Sequence, residues 1–290
     1  MVNSKTETQS GRKLFYGLFI FPLIIAVGMA VLLCTVVLLT KEVETPESLI
    51  TAIKTGSPSK RWQKAFELSN ELNQGRGLIR QSGVMKEVIH ILRESKEYDP
   101  KTRAYMAVAL SKFDDPETVP AIREALRAEE DPSVQIYLIW ALGVKKDKES
   151  VDQILPYLKS PDEDLRKMAS YILGALEEPK AAPALEPLLS DTSRDARWNA
   201  ALSLAKLGKD SGYSILIKML DRTALEREEA LPEDKVEEIM MNAAKGVALL
   251  GKPESLEILA KISNSDKSLK VRQAAMEALE YQKQSTLKKV

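Results

Sequence analysis

The stretch Glu117–Gly143, ETVPAIREALRAEEDPSVQIYLIWALG, decides the fold of this 290-residue chain. Val119 to Leu126 carries apolar residues at helical spacing, Glu130-Asp-Pro132 interrupts it, and Val134 to Leu142 resumes the same period. An aspartate able to cap, followed by a proline suited to a first helical turn, is a stop-and-restart signal. The stretch therefore reads as two helices joined by a tight turn. The same punctuation returns at Asp99-Pro100, Ser160-Pro-Asp162 and Asp191-Thr-Ser193. Arg103, Gln135, Arg166, Arg197, Met240 and Arg272 stand at one register position, each seven residues before Leu110, Leu142, Leu173, Leu204, Val247 or Leu279. A register kept at intervals of about 31 residues predicts helical pairs stacked in a row, with function on an extended surface.

The copies at Leu165–Leu176 (LRKMASYILGAL), Ala196–Gly208 (ARWNAALSLAKLG) and Val271–Leu279 (VRQAAMEAL) resemble the short-period branch of the HEAT repeats, the type first recognised in phycobilisome lyase subunits. The resemblance covers the chain from about Glu47 to Gln282, with a weaker opening copy at Arg61. It implies an all-α, α-α superhelix, a HEAT solenoid of about seven helical pairs that usually binds proteins. It implies no shared activity, because repeat folds host many functions. Two units carry extra residues, Asn73 to Gly83 and Thr223 to Asp234, and are expected to place them in loops.

Within each second helix, the places three, four and seven after the arginine position fall on one side at 100° per residue. Met106, Ala107 and Leu110, with Leu138, Ile139 and Leu142 and their equivalents, are the predicted core. The places one, two and five should be polar in an ordinary amphipathic helix. Here they hold Trp62, Phe66, Tyr105, Ile136, Tyr137, Trp140, Tyr171 and Trp198, including every tryptophan in the chain. Second helices line one side of a solenoid, usually the concave one, so these eight residues form a candidate partner-binding ridge. Exposed apolar ridges mark interaction sites, and Trp and Tyr dominate binding energies. The competing reading has the rings filling gaps between adjacent second helices.

Leu14 to Leu39 contains no charged residue and exceeds the roughly 30 Å of a bilayer core at about 1.5 Å rise per residue. It reads as an uncleaved transmembrane helix, since a signal peptide's apolar core is only about 7–15 residues. Leu33 before Cys34 argues against a lipoprotein anchor, and Cys34 is the only cysteine. Lys5, Arg12 and Lys13 precede the span and an acidic flank follows it, which predicts a single-pass protein of the bacterial inner membrane with its solenoid in the periplasm. Pro22 is a candidate kink. The expected organisation is a cytoplasmic tail at 1–13, a transmembrane helix at 14–40, a linker at 41–46, the solenoid at 47–283 and a C-terminal tail at 284–290.

Basic and acidic residues balance at 42 each, so no broad basic field draws nucleic acid. The chain holds one histidine, His90, too few for the His-Glu metal site of the HEAT-like deoxyhypusine hydroxylases. A phosphate-binding glycine loop, a nucleophile elbow and a histidine-based triad are all missing from the sequence. The repeated Arg103, Arg166, Arg197 and Arg272 are expected to pair with turn acids such as Asp131, Asp164 or Asp191. These readings assign no catalytic, cofactor or metal residue and no cofactor. They predict a non-enzymatic scaffold, an accessory subunit of a larger membrane complex, whose partners are another, membrane-bound protein and the bilayer through 14–40. The rival is a chromophore or cofactor lyase or chaperone resembling the phycobilin lyase subunits, with the ridge holding a tetrapyrrole.

Overall fold

The structure is a computed structural model that describes residues 16–40, 45–73, 82–94, 97–227 and 230–287. The tail with Lys5, Arg12 and Lys13, linker residues 41–44, and 74–81 of the first expected insertion lie outside the described residues. The chain divides into two units, Met1–Ser48 and Leu49–Val290.

In the N-terminal unit a π-helical turn, Tyr16–Ile20, leads into α1, Phe21–Thr40. Gly17–Val36 is 20 residues long and wholly unburied, and is long and apolar enough to cross a membrane by length and composition. Pro22 is the second residue of α1, and the backbone irregularity lies in the π turn directly before it, next to the donor that proline lacks. Thr35 donates its hydroxyl to the Val31 carbonyl at 2.7 Å, so its polar group is satisfied inside the helix.

The second unit is all helical among the described residues. Its seven pairs are α2 (Pro46–Thr55) with α3 (Pro58–Asn73), α4 (Ser82–Arg93) with α5 (Pro100–Leu110), and α6 (Thr118–Ala128) with α7 (Pro132–Val144). Then come α8 (Val151–Ile154) with α9 (Glu163–Ala175), and α10 (Ala182–Leu185) with α11 (Arg194–Lys206). The last two are α12 and α13 (Tyr213–Lys218, Arg222–Arg227) with α14 (Glu233–Leu250), and α15 (Glu254–Ser265) with α16 (Leu269–Leu287). Each second helix packs on the next: α3 on α5, α5 on α7, α7 on α9, α9 on α11, α11 on α14, α14 on α16.

The predicted core stripe is buried throughout: Met106, Ala107, Leu110, Leu138, Ile139, Leu142, Ala169, Leu173, Ala200, Ala201 and Leu204 are each 0% exposed. Each fully buried leucine contributes roughly 1.5–3 kcal/mol. The alanines let neighbouring helices approach closely. Buried apolar side chains run as one cluster from Leu49 to Leu204 and as a second from Ala201 to Ala278, with α11 contributing to both. At Gly174 the approach is closest, since a Cβ there would stand 2.7 Å from the Ser203 Cα of the next second helix.

The turn residues act as their types predict. Asp131 accepts from the Ser133 amide at 2.9 Å with Pro132 beginning the helix, and Asp99 and Asp162 cap the Thr102 and Leu165 amides at 3.0 Å. Two first helices are shorter than their periodicity suggests. Each keeps one α-turn between 3-10 segments, the later of which, Leu155–Lys159 and Glu186–Ser190, contain Pro156 and Pro187. Proline deletes a donor and clashes with the carbonyl four residues back, which tightens the turn. The expected second insertion, Thr223 to Asp234, holds most of the extra helix α13 and the first two residues of α14 instead of a plain loop.

The register arginines link successive turns. Arg166 donates two parallel hydrogen bonds to Asp191 in the next repeat, Nε at 2.8 Å and Nη2 at 2.9 Å, and a third to the Ser160 carbonyl at 2.9 Å. Arg197 donates to the Asp191 and Thr192 carbonyls, and Arg103 meets Glu129 at 3.2 Å. Asp164 is not a rung of this ladder. One turn into its helix, it pairs with Lys167, three residues on.

Candidate functional site

The second-helix face carries an apolar groove. A cavity of about 610 Å³ is lined by Ile136, Tyr137 and Trp140 from α7 and Lys167, Met168 and Tyr171 from α9. Four expected ridge residues, Ile136, Tyr137, Trp140 and Tyr171, thus share one cavity. Ile136, Trp140 and Met168 rest partly on the hydrophobic core, while Tyr137 and Tyr171 are 37% and 49% exposed. Ile136 and Trp140 thus fill space between helices, as the competing reading has it, while the Tyr137 and Tyr171 rings open onto the groove.

The other four ridge residues lie outside this cavity. Tyr105 stands between Phe66, edge-on at 5.3 Å, and Tyr137 at 6.4 Å, which extends the aromatic row toward the first repeat. Trp62 lies under the Lys101 ammonium at 5.2 Å. Trp198 lines a neighbouring cavity of about 250 Å³, with the Arg194 guanidinium 4.7 Å above its ring. Such cation–π contacts are worth about 0.5–1 kcal/mol at exposed sites.

Ser133 and Asp164 also line the large cavity and were not expected there. Both occupy the place two residues before the register position. Ser133, Tyr137 and Trp140 are spaced i, i+4, i+7, as are Asp164, Met168 and Tyr171, so the outward stripe simply starts one turn earlier. Extending the helical wheel by that turn would have found them. Lys167, hydrogen-bonded first of all to Asp164, has its pKa pushed above the ordinary lysine value and is the cation of this cavity.

Among the described residues no group of three or more His, Cys, Asp and Glu is placed to hold a metal ion, and His90 is exposed on α4.

The HEAT repeats family model matches residues 85–152, 121–205 and 151–231. The bilin biosynthesis protein PecE of Mastigocladus laminosus is 31% identical over 111 residues, 38% of this chain and 41% of that protein. PecE of Nostoc sp. is 30% identical over 111 residues, 38% of this chain and 44% of that protein. The chain thus spans about two fifths of the length of these curated relatives. The complex of CpcE and CpcF of phycocyanin lyase from Nostoc sp. superposes with a TM-score of 0.55 at 17% identity, over 83% of this chain and 96% of that one, a likeness of fold.

The similarity to bilin biosynthesis proteins runs against the expectation that the chain is not an enzyme, and that expectation is withdrawn. They also support the pigment-handling alternative over the membrane-complex scaffold. The missing triads and phosphate loops excluded only the chemistries that need them. A groove for a flat conjugated ligand is built from aromatic and aliphatic side chains, which in a sequence read equally as a protein-binding ridge. With family matches that together span residues 85–231, half of its length, the chain belongs to the HEAT-repeat proteins.

Proposed function

We propose that this chain handles a linear tetrapyrrole, as a bilin lyase subunit or a bilin chaperone, holding the pigment in the groove between α7 and α9 while a partner protein docks on the solenoid. The observation that carries the reading is the convergence of Tyr137, Trp140, Met168 and Tyr171 on one cavity of about 610 Å³. That volume lies within the range of small-molecule sites, and aromatic faces suit an extended π system. The similarity to bilin biosynthesis proteins supplies the ligand class. The aromatic row from Tyr105 back to Phe66 and Trp62 is the surface we assign to the partner, and the pairing of CpcE with CpcF supports a protein partner.

We further propose that Gly17–Val36 anchors the chain in a bacterial inner membrane. Its length and composition support a span, and Lys5, Arg12 and Lys13 on the preceding flank support a cytoplasmic start and a periplasmic solenoid. A reporter fused after Val290 reads which side the solenoid occupies.

Titration of the detergent-solubilised chain with biliverdin, followed by visible absorbance, tests the pigment reading. Saturable binding with a shifted visible band is expected. Trp140→Ala should weaken it about tenfold or more, roughly the 1.4 kcal/mol a packed aromatic contact supplies. An unshifted, non-saturable spectrum would sink the reading.

A further inference from the structure

Three cavities of the second-helix face adjoin one another. The 610 Å³ cavity shares Tyr171 and Asn199 with a third of about 390 Å³, which in turn shares Leu202 and Asn242 with the one around Trp198. Along this row of cavities most charges cancel. Lys167 is taken by Asp164, Arg194 by Asp195 at 3.2 Å, and Lys235 by Glu238 at 2.8 Å. Lys206 and Lys245 remain. Both line the 390 Å³ cavity, both are exposed, and neither has an ion pair among the described residues.

Lys206 is positioned by its own aromatic contact. Its ammonium stands 5.4 Å from the centre of the Tyr171 ring, and Tyr171 belongs to both cavities. The cation therefore sits where the apolar part of the groove ends. Lys245 comes from α14, the second helix packed next to α11, and so faces the same space. The 610 Å³ cavity is thus an apolar trough whose end toward α11 and α14 meets two lysines, and Glu238, the carboxylate that also lines their cavity, is paired with Lys235. A neutral ligand would leave the two lysines unanswered, whereas a ligand with an apolar body and two carboxylates matches the pattern.

We propose that Lys206 and Lys245 are a dicarboxylate-binding end of the groove that takes the two propionate groups of a linear tetrapyrrole, whose rings lie along Trp140 and Tyr171. This inference rests on the pigment-handling reading and adds the orientation of the ligand. The exposed ammonium groups keep their hydration until the ligand arrives, and their flexible stems follow the propionates. The attraction weakens with added salt.

Binding of biliverdin and of its neutral dimethyl ester to the full chain in detergent, by absorbance titration, tests it. The wild type should bind the diacid about tenfold tighter than the diester, two charge-assisted contacts partly screened by water. In the Lys206→Ala, Lys245→Ala double variant the two pigments should bind alike, at the affinity of the diester, with the melting temperature lowered by no more than loss of the exposed Lys206–Tyr171 contact accounts for. Lys112→Ala removes a cation that stands over Trp140 at 5.5 Å but does not line the groove, and should keep the preference. A wild type that treats diacid and diester alike, or a double variant that still prefers the diacid, overturns the dicarboxylate end and leaves the pigment reading standing. Failure of both pigments to bind overturns both.

Discussion

Gly174 and Asp191 illustrate how single residues hold neighbouring repeats at fixed spacing. A Cβ at Gly174 meets the backbone of Ser203, which cannot rotate away, so Gly174→Ala should destabilise the fold by about 1–3 kcal/mol in chemical denaturation. Gly83→Ala is the contrast, because nothing stands within 4 Å of its Cβ position and alanine favours the helix there. Asp191 is held below the ordinary carboxylate value of 3.8 by the Arg166 hydrogen bonds first, then by the Ser193 amide. A depressed folded-state pKa means its contribution is fully present above 3.8 and is lost as pH falls through the lower folded value. Thermal melts from pH 7 downward should show this loss, and Asp191→Asn should flatten that component. Removing the carboxylate outright leaves the half-buried Arg166 guanidinium with only the Ser160 and Pro161 carbonyls, and Asp191→Ala should cost about 1–3 kcal/mol.

At the level of the element, helix starts were the most legible feature. Asp99, Asp131, Asp162 and Ser193 each accept a backbone amide at the start of their helix. Asp131→Ala should lower stability by about 1 kcal/mol, measured by denaturant midpoint at constant slope. The interiors of the first helices were less legible. Pro156 and Pro187 fall within stretches of helical periodicity, and periodicity reports which side is apolar without reporting which hydrogen bonds survive. The extra residues after Arg222 form α13 for a reason that lies far along the chain. Arg222 reaches Asp266, 44 residues away, through two hydrogen bonds at 2.8 Å, and Lys267 pairs with Glu226 and Glu233.

For the whole molecule, the division at Ser48 and Leu49 predicts that the solenoid does not depend on α1. A chain beginning at Thr45 should keep its helical circular dichroism and melting transition, and should no longer float with membranes. Loss of the folded signal would show that the two units form one cooperative body. The relatives changed the functional conclusion more than the geometry did. The eight expected ridge residues stand out because aromatic and apolar side chains occupy places where a helix should be polar. Their partition belongs to the tertiary structure: four line the main cavity, Trp198 lines its neighbour, Phe66 and Tyr105 stack in a row toward Tyr137, and Trp62 lies under Lys101.

The amino-acid sequence by itself determined the helical pairs, their register and the buried stripe, because these depend on spacing along one helix and on turn residues that act locally. Only the tertiary structure decided that Lys206 and Lys245 share a cavity with Tyr171 and that Arg166 chooses Asp191 over Asp164. Those outcomes depend on how far apart successive second helices settle, a distance set by Gly174, Ser203 and the alanines of the core together and by no single residue's pattern.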